Sequence, residues 1–306
     1  MHPKKLKLNN KVKKKYLQFI QSQEILSEPF RDKLGQLNKF FLPMSKKIYD
    51  HRIKNNKTII VGLTGGQGSG KSTISSILKI ILKERFELNT VIFSIDDFYK
   101  TLHERKIMSK KVNPLFLTRG VPGTHDTKLL FYCLNQLKNL TNNILYIPKF
   151  DKSIDDRVPK KKWQKITYQP DIVIFEGWCV AATPQKNKDL IVPINILEKE
   201  KDKKKIWRSW VNKELKTTYK NIFKLIDLKI FLKVPNFDHV YKWRLLQEKK
   251  LNIISKGKKI MTKKEIKNFI MFYERLTKYM LKHLSNKVKF LINIDTKHRL
   301  KSIKVN

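Results

Sequence analysis

The sequence predicts an α/β fold, a three-layer sandwich in which about five parallel strands form a central sheet with helices on both faces. Short runs of β-branched and other apolar residues alternate along the chain with segments whose apolar residues recur at helical spacing. A glycine-rich loop stands between the first such run and the first such helix. Strands that are separated by helices pair in parallel, because each helix returns the chain to the same end of the sheet.

Each predicted element follows from its own local pattern. Apolar runs of strand length occur at 58–64, 90–95, 171–176, 228–234 and 288–294, with a shorter run at 144–148. Helical periodicity is found at 72–86, 126–140, 207–224, 236–251 and 263–284. Thr262 and Glu265 have the spacing of a capping box for the last of these helices. Segments 108–125 and 150–170 lack periodicity and contain Pro or Gly, so we expect substrate loops there, and we interpret the lysine-rich run 199–205 as a solvated insertion.

The domain organisation follows from a change of character near residue 57. Residues 1–57 are charged and helical in pattern, with apolar anchors such as Tyr16 and Phe40, so we expect an N-terminal helical layer packed on a main domain of residues 58–306.

Cys133 and Cys179 are too few for a disulfide framework, which suits a reducing compartment. No apolar run approaches the length of a membrane-spanning helix, and the basic N-terminus lacks the apolar core of a signal peptide. We therefore expect a cytoplasmic protein.

The formal net charge of +41 has two interpretations. A strong positive charge is typical of proteins that bind nucleic acid. The basic residues are mostly lysines spread along the whole chain, however, and Asn and Ile, which also have AT-rich codons, are frequent. We favour a codon bias, and we expect no specific nucleic-acid partner.

Residues 65–72 read Gly-Gly-Gln-Gly-Ser-Gly-Lys-Ser, which is the phosphate-binding loop G-x-x-x-x-G-K-[ST]. A strand before it and a helix after it are the setting that this loop requires, and they favour a P-loop NTPase-type domain over a glycine turn that binds nothing. We expect Lys71 to reach the β- and γ-phosphates of ATP and Ser72 to bind Mg²⁺. The residues expected to contact the nucleotide are Gly65, Gly66, Gln67, Gly68, Ser69, Gly70, Lys71, Ser72 and Thr73.

Acidic residues follow two of the predicted strands. Strand 90–95 continues into Asp96 and Asp97, and strand 171–176 ends in Glu176. A kinase needs a carboxylate here to accept the proton of the acceptor hydroxyl, and Asp96 is our candidate. Glu176 is our candidate for holding Mg²⁺, directly or through water. The alternatives are a turn or helix cap for Asp96, a cap or a supporting role for Asp97, and an exposed turn for Glu176.

These motifs together resemble the uridine kinase, phosphoribulokinase and pantothenate kinase superfamily. The resemblance rests on the phosphate loop, on Ser-Ile-Asp-Asp-Phe-Tyr at 94–99 and on Phe-Glu-Gly-Trp at 175–178. Further segments resemble the D-glycerate 3-kinase family, and they are 113–115, Arg-Gly-Val-Pro-Gly-Thr-His-Asp at 119–126, 147–153 with 156–157, and 241–248. The resemblance covers about residues 58–297. Ala181 and Ala182 depart from it, because a glycine is expected soon after Glu-Gly-Trp.

The resemblance implies which residues meet the acceptor and the phosphates. It implies that Arg244, on a lid helix, stabilises the charge of the transferred phosphoryl group together with Lys71. A carboxylate-bearing acceptor needs cationic or donor groups, which Arg119, His125 and Arg157 would provide. The full set expected to contact the acceptor is Asp97, Tyr99, Arg119, His125, Asp151 and Arg157. The alternatives are salt bridges of the two arginines with acids such as Asp126 and Asp155, a structural hydrogen bond for His125, and a solvated Arg244.

The resemblance thus implies an ATP-dependent, Mg²⁺-requiring kinase that converts D-glycerate to 3-phosphoglycerate. A related kinase for another acceptor, such as uridine or pantothenate, is the alternative. A second alternative is a non-enzymatic nucleotide-binding protein that contacts nucleic acid. The expected partner is a small acceptor molecule and not a membrane, and the sequence leaves open the oligomeric state, the base preference and the role of residues 1–57.

Overall fold

The computed structural model of the protein describes residues 9–24, 30–140, 144–254 and 261–306. The helices are α1 Asn10–Gln23, α2 Lys33–Gln36, α3 Leu42–Asn55, α4 Lys71–Phe86, α5 Leu102–Lys111, α6 Thr127–Lys138, α7 Ile196–Lys201, α8 Ile206–Lys216, α9 Thr218–Phe223, α10 Phe237–Ile254 and α11 Lys263–His283. The strands are β1 Ile59–Gly65, β2 Thr90–Ser94, β3 Leu145–Ile147, β4 Phe150–Asp151, β5 Asp156–Arg157, β6 Gln164–Ile166, β7 Ile172–Gly177, β8 Leu228–Lys233, β9 Phe290–Ile294 and β10 Leu300–Val305. None of the helices in these ranges is both long and apolar enough to cross a bilayer.

The central sheet has six strands in the order β10-β9-β8-β1-β7-β2. The five predicted strands are confirmed, and they pair in parallel. Strand β10 is an antiparallel edge strand that the sequence analysis missed. Most of its residues are exposed, because an edge strand at the rim of a sheet needs no continuous apolar run, and without such a run it gives little periodic signal.

Two predicted elements differ in the structure. The run 144–148 forms β3, which pairs with β6 in a separate two-stranded ribbon and not with the central sheet. The helix predicted at 207–224 is interrupted at Thr217, whose φ of −109° and ψ of −91° are not helical.

Helix α5 lies where no helix was predicted, although Thr101 and Glu104 form a complete capping box at its start. The capping box of Thr262 and Glu265 is formed as predicted.

The N-terminal helices complete the apolar core on one side of the sheet. Tyr16, Ile20 and Phe40 are buried in one cluster with Ile59 of β1 and Ile77 of α4. The Gln36 amide also exchanges two hydrogen bonds of 3.1 Å with the backbone of Leu300. Residues 1–8 and 25–29 of the predicted layer lie outside the described ranges. The described part of the layer therefore shares its core with the sheet.

The lysine-rich run 199–205 is not purely a solvated insertion. Its lysines are exposed, but Asp202 is buried and pairs with Arg208 over 2.9 Å. Just before the run, the buried Glu198 receives two hydrogen bonds of 2.7 and 2.6 Å from Arg275 of α11. The acids of this segment fasten it to the domain, because a buried carboxylate requires a cationic or donor partner.

Candidate active site

The phosphate loop joins β1 to α4 at the carboxyl edge of the sheet. Gly70 precedes α4 with a φ of +87°, and Gly68 has a φ of +74°. A Cβ on Gly68 would lie 2.8 Å from the Cβ of Trp243, so helix α10 packs directly on the loop. The Lys71 ammonium folds back over the loop and donates to the carbonyls of Gly65 at 3.0 Å and Gly66 at 3.1 Å. The Lys71 ammonium is therefore satisfied by carbonyl groups of its own loop.

Three charged side chains converge on this loop. Burial lowers the pKa of Lys71, and the negative charges of Glu176 and Asp96 act in the opposite direction. The strand register explains the convergence. Glu176 of β7 is paired with Leu63 of β1 on one side and with Ser94 of β2 on the other, so both carboxylates emerge beside the loop.

Glu176 contacts the first turn of α4. The Ser72 hydroxyl donates to a Glu176 carboxylate oxygen at 3.2 Å. Glu176 is 7% exposed, and burial raises its pKa against the opposing charge of Lys71. This excludes the exposed turn that was the alternative for Glu176.

Asp96 lies in a short 3-10 turn after β2 and carries two partners. The Tyr99 hydroxyl donates to one carboxylate oxygen at 2.8 Å, and the Lys152 ammonium donates to the other at 2.7 Å. Burial acts to raise the pKa of Asp96, but the charge of Lys152 and the two hydrogen bonds outweigh it, so the pKa lies below its ordinary value. Asp96 is thus ionised and faces the hairpin that carries Lys152.

Asp97 contacts backbone groups. Its two oxygens accept from the N–H of Ser94 at 3.2 Å and of Phe150 at 3.5 Å, and the first contact completes a capping box around the 3-10 turn. Burial raises the pKa of Asp97. The structure therefore places Asp97 in the capping role that was its alternative, one residue from the acid that faces the open site.

His125 is fully buried beside Tyr99. The two rings stack with centroids 4.6 Å apart, and the His125 Nδ1 lies 2.6 Å from the Tyr219 hydroxyl. Burial lowers the pKa of His125 to about 3, so the imidazole is neutral and supplies no positive charge. Its Nε2 is buried and has no hydrogen-bond partner in the described part of the chain. The structural hydrogen bond considered for His125 is present, and one ring nitrogen remains unpaired.

Both predicted acceptor arginines form salt bridges with protein acids. Arg119 pairs with Asp155, and Arg157 pairs with Asp126 at 3.2 Å and with Glu104 at 2.9 Å. These include the two pairings that the sequence analysis weighed as the alternative. In this structure the arginines tie the loops together, because their charges are already matched by neighbouring carboxylates.

The segment 119–126 is fastened to the end of β7. Gly120 has a φ of +138°, and a Cβ there would lie 2.1 Å from the Tyr273 hydroxyl oxygen. The indole N–H of Trp178, two residues after Glu176, donates to the Gly120 carbonyl at 2.9 Å. Asp151, on the neighbouring hairpin, accepts from the Ser153 N–H at 2.8 Å and the Ser153 hydroxyl at 2.6 Å. The predicted substrate loops thus surround the strand ends.

Arg244 lies on α10, the helix that packs on the phosphate loop. Its guanidinium pairs with Glu248 one helical turn further on. It also lies 3.4 Å from the Gln247 amide oxygen, in a marginal hydrogen bond. The alternative of a freely solvated arginine is excluded for the structure, because the Arg244 side chain is 15% exposed and ion-paired.

A cavity of about 690 Å³ opens beside the phosphate loop. Its walls come from the loop and α4, from the N-terminal helices, from α10 and from the turn before β10. Tyr16 and Arg31 of the N-terminal region line the cavity, and so do Trp243 and His298, whose rings stack with centroids 4.2 Å apart. That residues from 1–57 reach this cavity was not predicted, since no local pattern in them points to a ligand.

Three further residues of the site were missed. Lys152 contacts Asp96, Tyr219 orients His125, and the fully buried Arg105 donates to the Leu117 carbonyl at 2.6 Å and an Asp155 carboxylate oxygen at 3.1 Å. The segment 147–153, which contains Lys152, was noted for its resemblance, but one lysine among so many carries no signal of its own.

Comparisons with known proteins identify the family of the chain. The sequence profile of the Phosphoribulokinase / Uridine kinase family matches residues 60–217. An uncharacterized kinase of Schizosaccharomyces pombe, mug58, is 36% identical over 240 residues, which cover 76% of this chain and 84% of that protein. The chloroplastic D-glycerate 3-kinase of Arabidopsis thaliana is 28% identical over 223 residues, 70% of this chain and 46% of that protein.

A solved structure extends the agreement to the fold. The D-glycerate 3-kinase from Cryptococcus neoformans var. grubii superposes with a TM-score of 0.72 over 87% of this chain and 99% of that chain. The sequence identity in that comparison is 23%, so it demonstrates a shared fold. The parallel sheet and its covering helices are thus common to both proteins.

Proposed function

The chain belongs to the Phosphoribulokinase / Uridine kinase family of phosphotransferases, and on that premise we propose that it transfers the γ-phosphoryl group of ATP to a hydroxyl of D-glycerate. The observation that carries the proposal is the convergence of Lys71, Asp96 and Glu176 on one phosphate loop. A triphosphate site, a carboxylate that can accept a proton and a second carboxylate for a metal are the parts that phosphoryl transfer requires.

The donor site is proposed to be the phosphate loop together with the adjoining cavity. The loop places backbone N–H groups at the start of α4, where the helix dipole favours phosphate. The cavity of about 690 Å³ that borders Gly68–Thr73 has room for the rest of a nucleotide. Lys71 would exchange the Gly65 and Gly66 carbonyls for phosphate oxygens, since carbonyls are weaker partners for an ammonium group than anions.

Ser72 and Glu176 are proposed to hold Mg²⁺. Both present oxygen atoms, which this cation prefers, and burial disfavours the charged form of the Glu176 carboxyl, a penalty that a nearby cation relieves. The described residues contain no group of three or more His, Cys, Asp or Glu side chains that could hold a metal. This fits Mg²⁺, which is usually bound through one or two carboxylates, water and substrate phosphates. The ion would neutralise charge on the transferred phosphoryl group.

Asp96 is proposed to accept the proton of the acceptor hydroxyl. The hydroxyl oxygen forms a bond to the γ-phosphorus while the bond from that phosphorus to the bridging oxygen of ADP breaks, and the hydroxyl proton passes to the Asp96 carboxylate. Tyr99 keeps the carboxylate oriented through its 2.8 Å hydrogen bond. Arg244 would have to turn from Glu248 to reach the phosphoryl group, so its role in transfer stays a prediction.

The acceptor is proposed from the resemblance of segments 113–126, 147–157 and 241–248 to D-glycerate 3-kinases. The predicted acceptor contacts that remain are Tyr99, Arg119, His125, Asp151 and Arg157, with the two arginines acting only where their ion pairs yield. Asp97 is left out, because both of its oxygens accept backbone N–H groups. The neutral His125 would serve as a hydrogen-bond partner through its unpaired Nε2. A cytoplasmic location likewise stays a prediction.

An acceptor panel tests the proposal. The purified chain with ATP, Mg²⁺ and D-glycerate is expected to form ADP and 3-phosphoglycerate, measured by coupled ADP release and by mass spectrometry of the product. Uridine, pantothenate and L-glycerate are assayed in parallel, and Lys71→Ala is the inactive control. Faster turnover of uridine or pantothenate would replace the proposed acceptor, and no turnover above Lys71→Ala with any acceptor would remove the kinase reaction.

A further inference from the structure

The ammonium group of Lys152 occupies the space in front of the proposed base. Lys152 lies in the turn between β4 and β5, and its Nζ is 2.7 Å from an Asp96 carboxylate oxygen. The Lys152 side chain is 59% exposed and that of Asp96 is 26% exposed. The pair therefore stands at the open rim of the site, where an entering acceptor meets it.

The arginines of these loops are already matched by acids that do no chemistry in the proposed mechanism. Arg105 and Arg119 share Asp155. Arg157 is held between Asp126 and Glu104. None of these arginines is paired with the carboxylate that is proposed to accept the hydroxyl proton.

Lys152 differs from the arginines in this respect. In the described part of the chain its one ionic partner is Asp96, the group that must itself turn to the acceptor hydroxyl. When the acceptor hydroxyl donates to that Asp96 oxygen, the Lys152 ammonium loses its hydrogen-bond acceptor. It can then bind another anionic group that lies close to the hydroxyl. A strongly hydrated point charge on a flexible stem is well suited to such an exchange.

We propose that Lys152 is the residue that selects an anionic acceptor: it leaves Asp96 as the acceptor hydroxyl arrives and pairs with the acceptor carboxylate. The inference rests on the proposed function. The short distance between Nζ and the Asp96 oxygen means that the hydroxyl and the carboxylate of the acceptor must lie close together. That geometry favours a short hydroxy acid over an acceptor whose charge is remote from its hydroxyl, and over a neutral nucleoside.

The exchange also links recognition to reactivity. The charge of Lys152 holds the pKa of Asp96 below its ordinary value, which makes the carboxylate a weak base. An acceptor carboxylate that draws the ammonium away removes part of this effect. An uncharged acceptor leaves Lys152 in place and gains neither the ion pair nor the stronger base.

The test compares D-glycerate with D-glyceramide, in which the carboxylate is replaced by a neutral amide of similar shape. Binding of both is measured by calorimetry in the presence of Mg²⁺ and a non-hydrolysable ATP analogue, for the wild type, Lys152→Met and Lys152→Arg. Lys152→Met is expected to weaken D-glycerate binding by about tenfold to a hundredfold, the range of one hydrogen bond to a charged group, and to change D-glyceramide binding by less than about threefold. Lys152→Arg is expected to retain the preference for the anion.

Lys161→Met is the matched control, because Lys161 is an exposed lysine between β5 and β6 and carries the same charge. It is expected to leave both affinities unchanged. Equal weakening of both ligands by Lys152→Met would mean that Lys152 only supports Asp96, and a wild-type affinity of Lys152→Met for D-glycerate would assign the acceptor carboxylate to another cation. Either result overturns the inference. Failure of the wild type to phosphorylate D-glycerate would remove the proposed function itself, and the inference with it.

Discussion

The Ser72 hydroxyl lies 3.2 Å from a carboxylate oxygen of Glu176, across the short gap between the first turn of α4 and the end of β7. One residue belongs to the phosphate loop and the other to the neighbouring strand. Their contact brings two oxygen-bearing side chains together in a buried environment where a lone carboxylate is unfavourable. The proposed Mg²⁺ site rests on this relationship.

Glu176→Gln is predicted to raise the Mg²⁺ concentration for half-maximal activity by about tenfold to a hundredfold, because the amide retains the shape but loses the negative charge. The measurement is the initial rate as a function of Mg²⁺ at saturating ATP and acceptor. Glu200→Gln, on the exposed face of α7, is the control and should follow the wild-type curve. An unaltered Mg²⁺ curve for Glu176→Gln would assign the metal to other groups.

Asp96→Asn is predicted to lower kcat by about 10²- to 10⁴-fold, since the amide cannot accept the proton of the acceptor hydroxyl. Nucleotide affinity should change little, because the proposed donor site does not use Asp96. Single-turnover phosphoryl transfer and the binding of a non-hydrolysable ATP analogue separate the two effects. A wild-type transfer rate in Asp96→Asn would show that no base is needed at this position.

Asp97→Ala is predicted to act on stability. Both Asp97 oxygens accept backbone N–H groups, so their loss should lower the free energy of unfolding by about 0.5–2 kcal/mol, as for other capping residues. Urea denaturation measures the change. In Asp97→Ala the transfer rate should exceed that of Asp96→Asn, and the reverse order would exchange the roles of the two acids.

Glu198→Ala is predicted to lower the free energy of unfolding by about 3–5 kcal/mol, because it leaves the buried Arg275 without its carboxylate. The control is Asp50→Ala, which breaks the exposed pair of Lys46 and Asp50 on α3 and should cost about 0–1 kcal/mol. Chemical denaturation of both variants provides the comparison. Equal losses would contradict a special role for the buried pair in fastening residues 187–202 to α11.

The wild type is predicted to lose stability as the pH falls from about 6.5 towards 3, and His125 is predicted to cause part of that loss. The folded-state pKa of His125 is about 3 against an ordinary value of 6.5. In this window the unfolded chain binds a proton that the folded chain does not, so the stability due to His125 is complete above pH 6.5 and decreases below it. One such proton corresponds to about 1.4 kcal/mol per pH unit.

The variant that checks the pH effect is His125→Gln, compared with His103→Gln at an exposed site. The free energy of unfolding is measured by urea denaturation at several values between pH 4 and 8, a range chosen around the ordinary histidine pKa of about 6.5. His125→Gln should fall less steeply below pH 6.5 than the wild type, and His103→Gln should run parallel to the wild type. Identical slopes for all three proteins would mean that His125 does not resist protonation.

Most of the fold could be predicted from short-range patterns. The five parallel strands have apolar runs because both faces of a central strand are covered. The phosphate loop was recognisable from the close spacing of its glycines, lysine and serine. The positions of Asp96 and Glu176 followed as well, because the carboxyl ends of parallel strands meet at one edge. Strand β10 and helix α5 were missed because an edge strand and a short helix with a single buried residue have weak periodicity.

The sequence by itself therefore determined the kind of protein: a parallel α/β domain with a phosphate loop and two acids beside it. The tertiary structure alone decided how the charges are distributed among those residues. In the folded chain Arg119 and Arg157 pair with acids, and Lys152 forms an ion pair with Asp96. Burial keeps His125 neutral, and the N-terminal helices form part of the cavity wall. The physical reason is that an ion pair or a buried ring depends on groups that lie far apart along the chain, and no local periodicity encodes the path of the loops that join them.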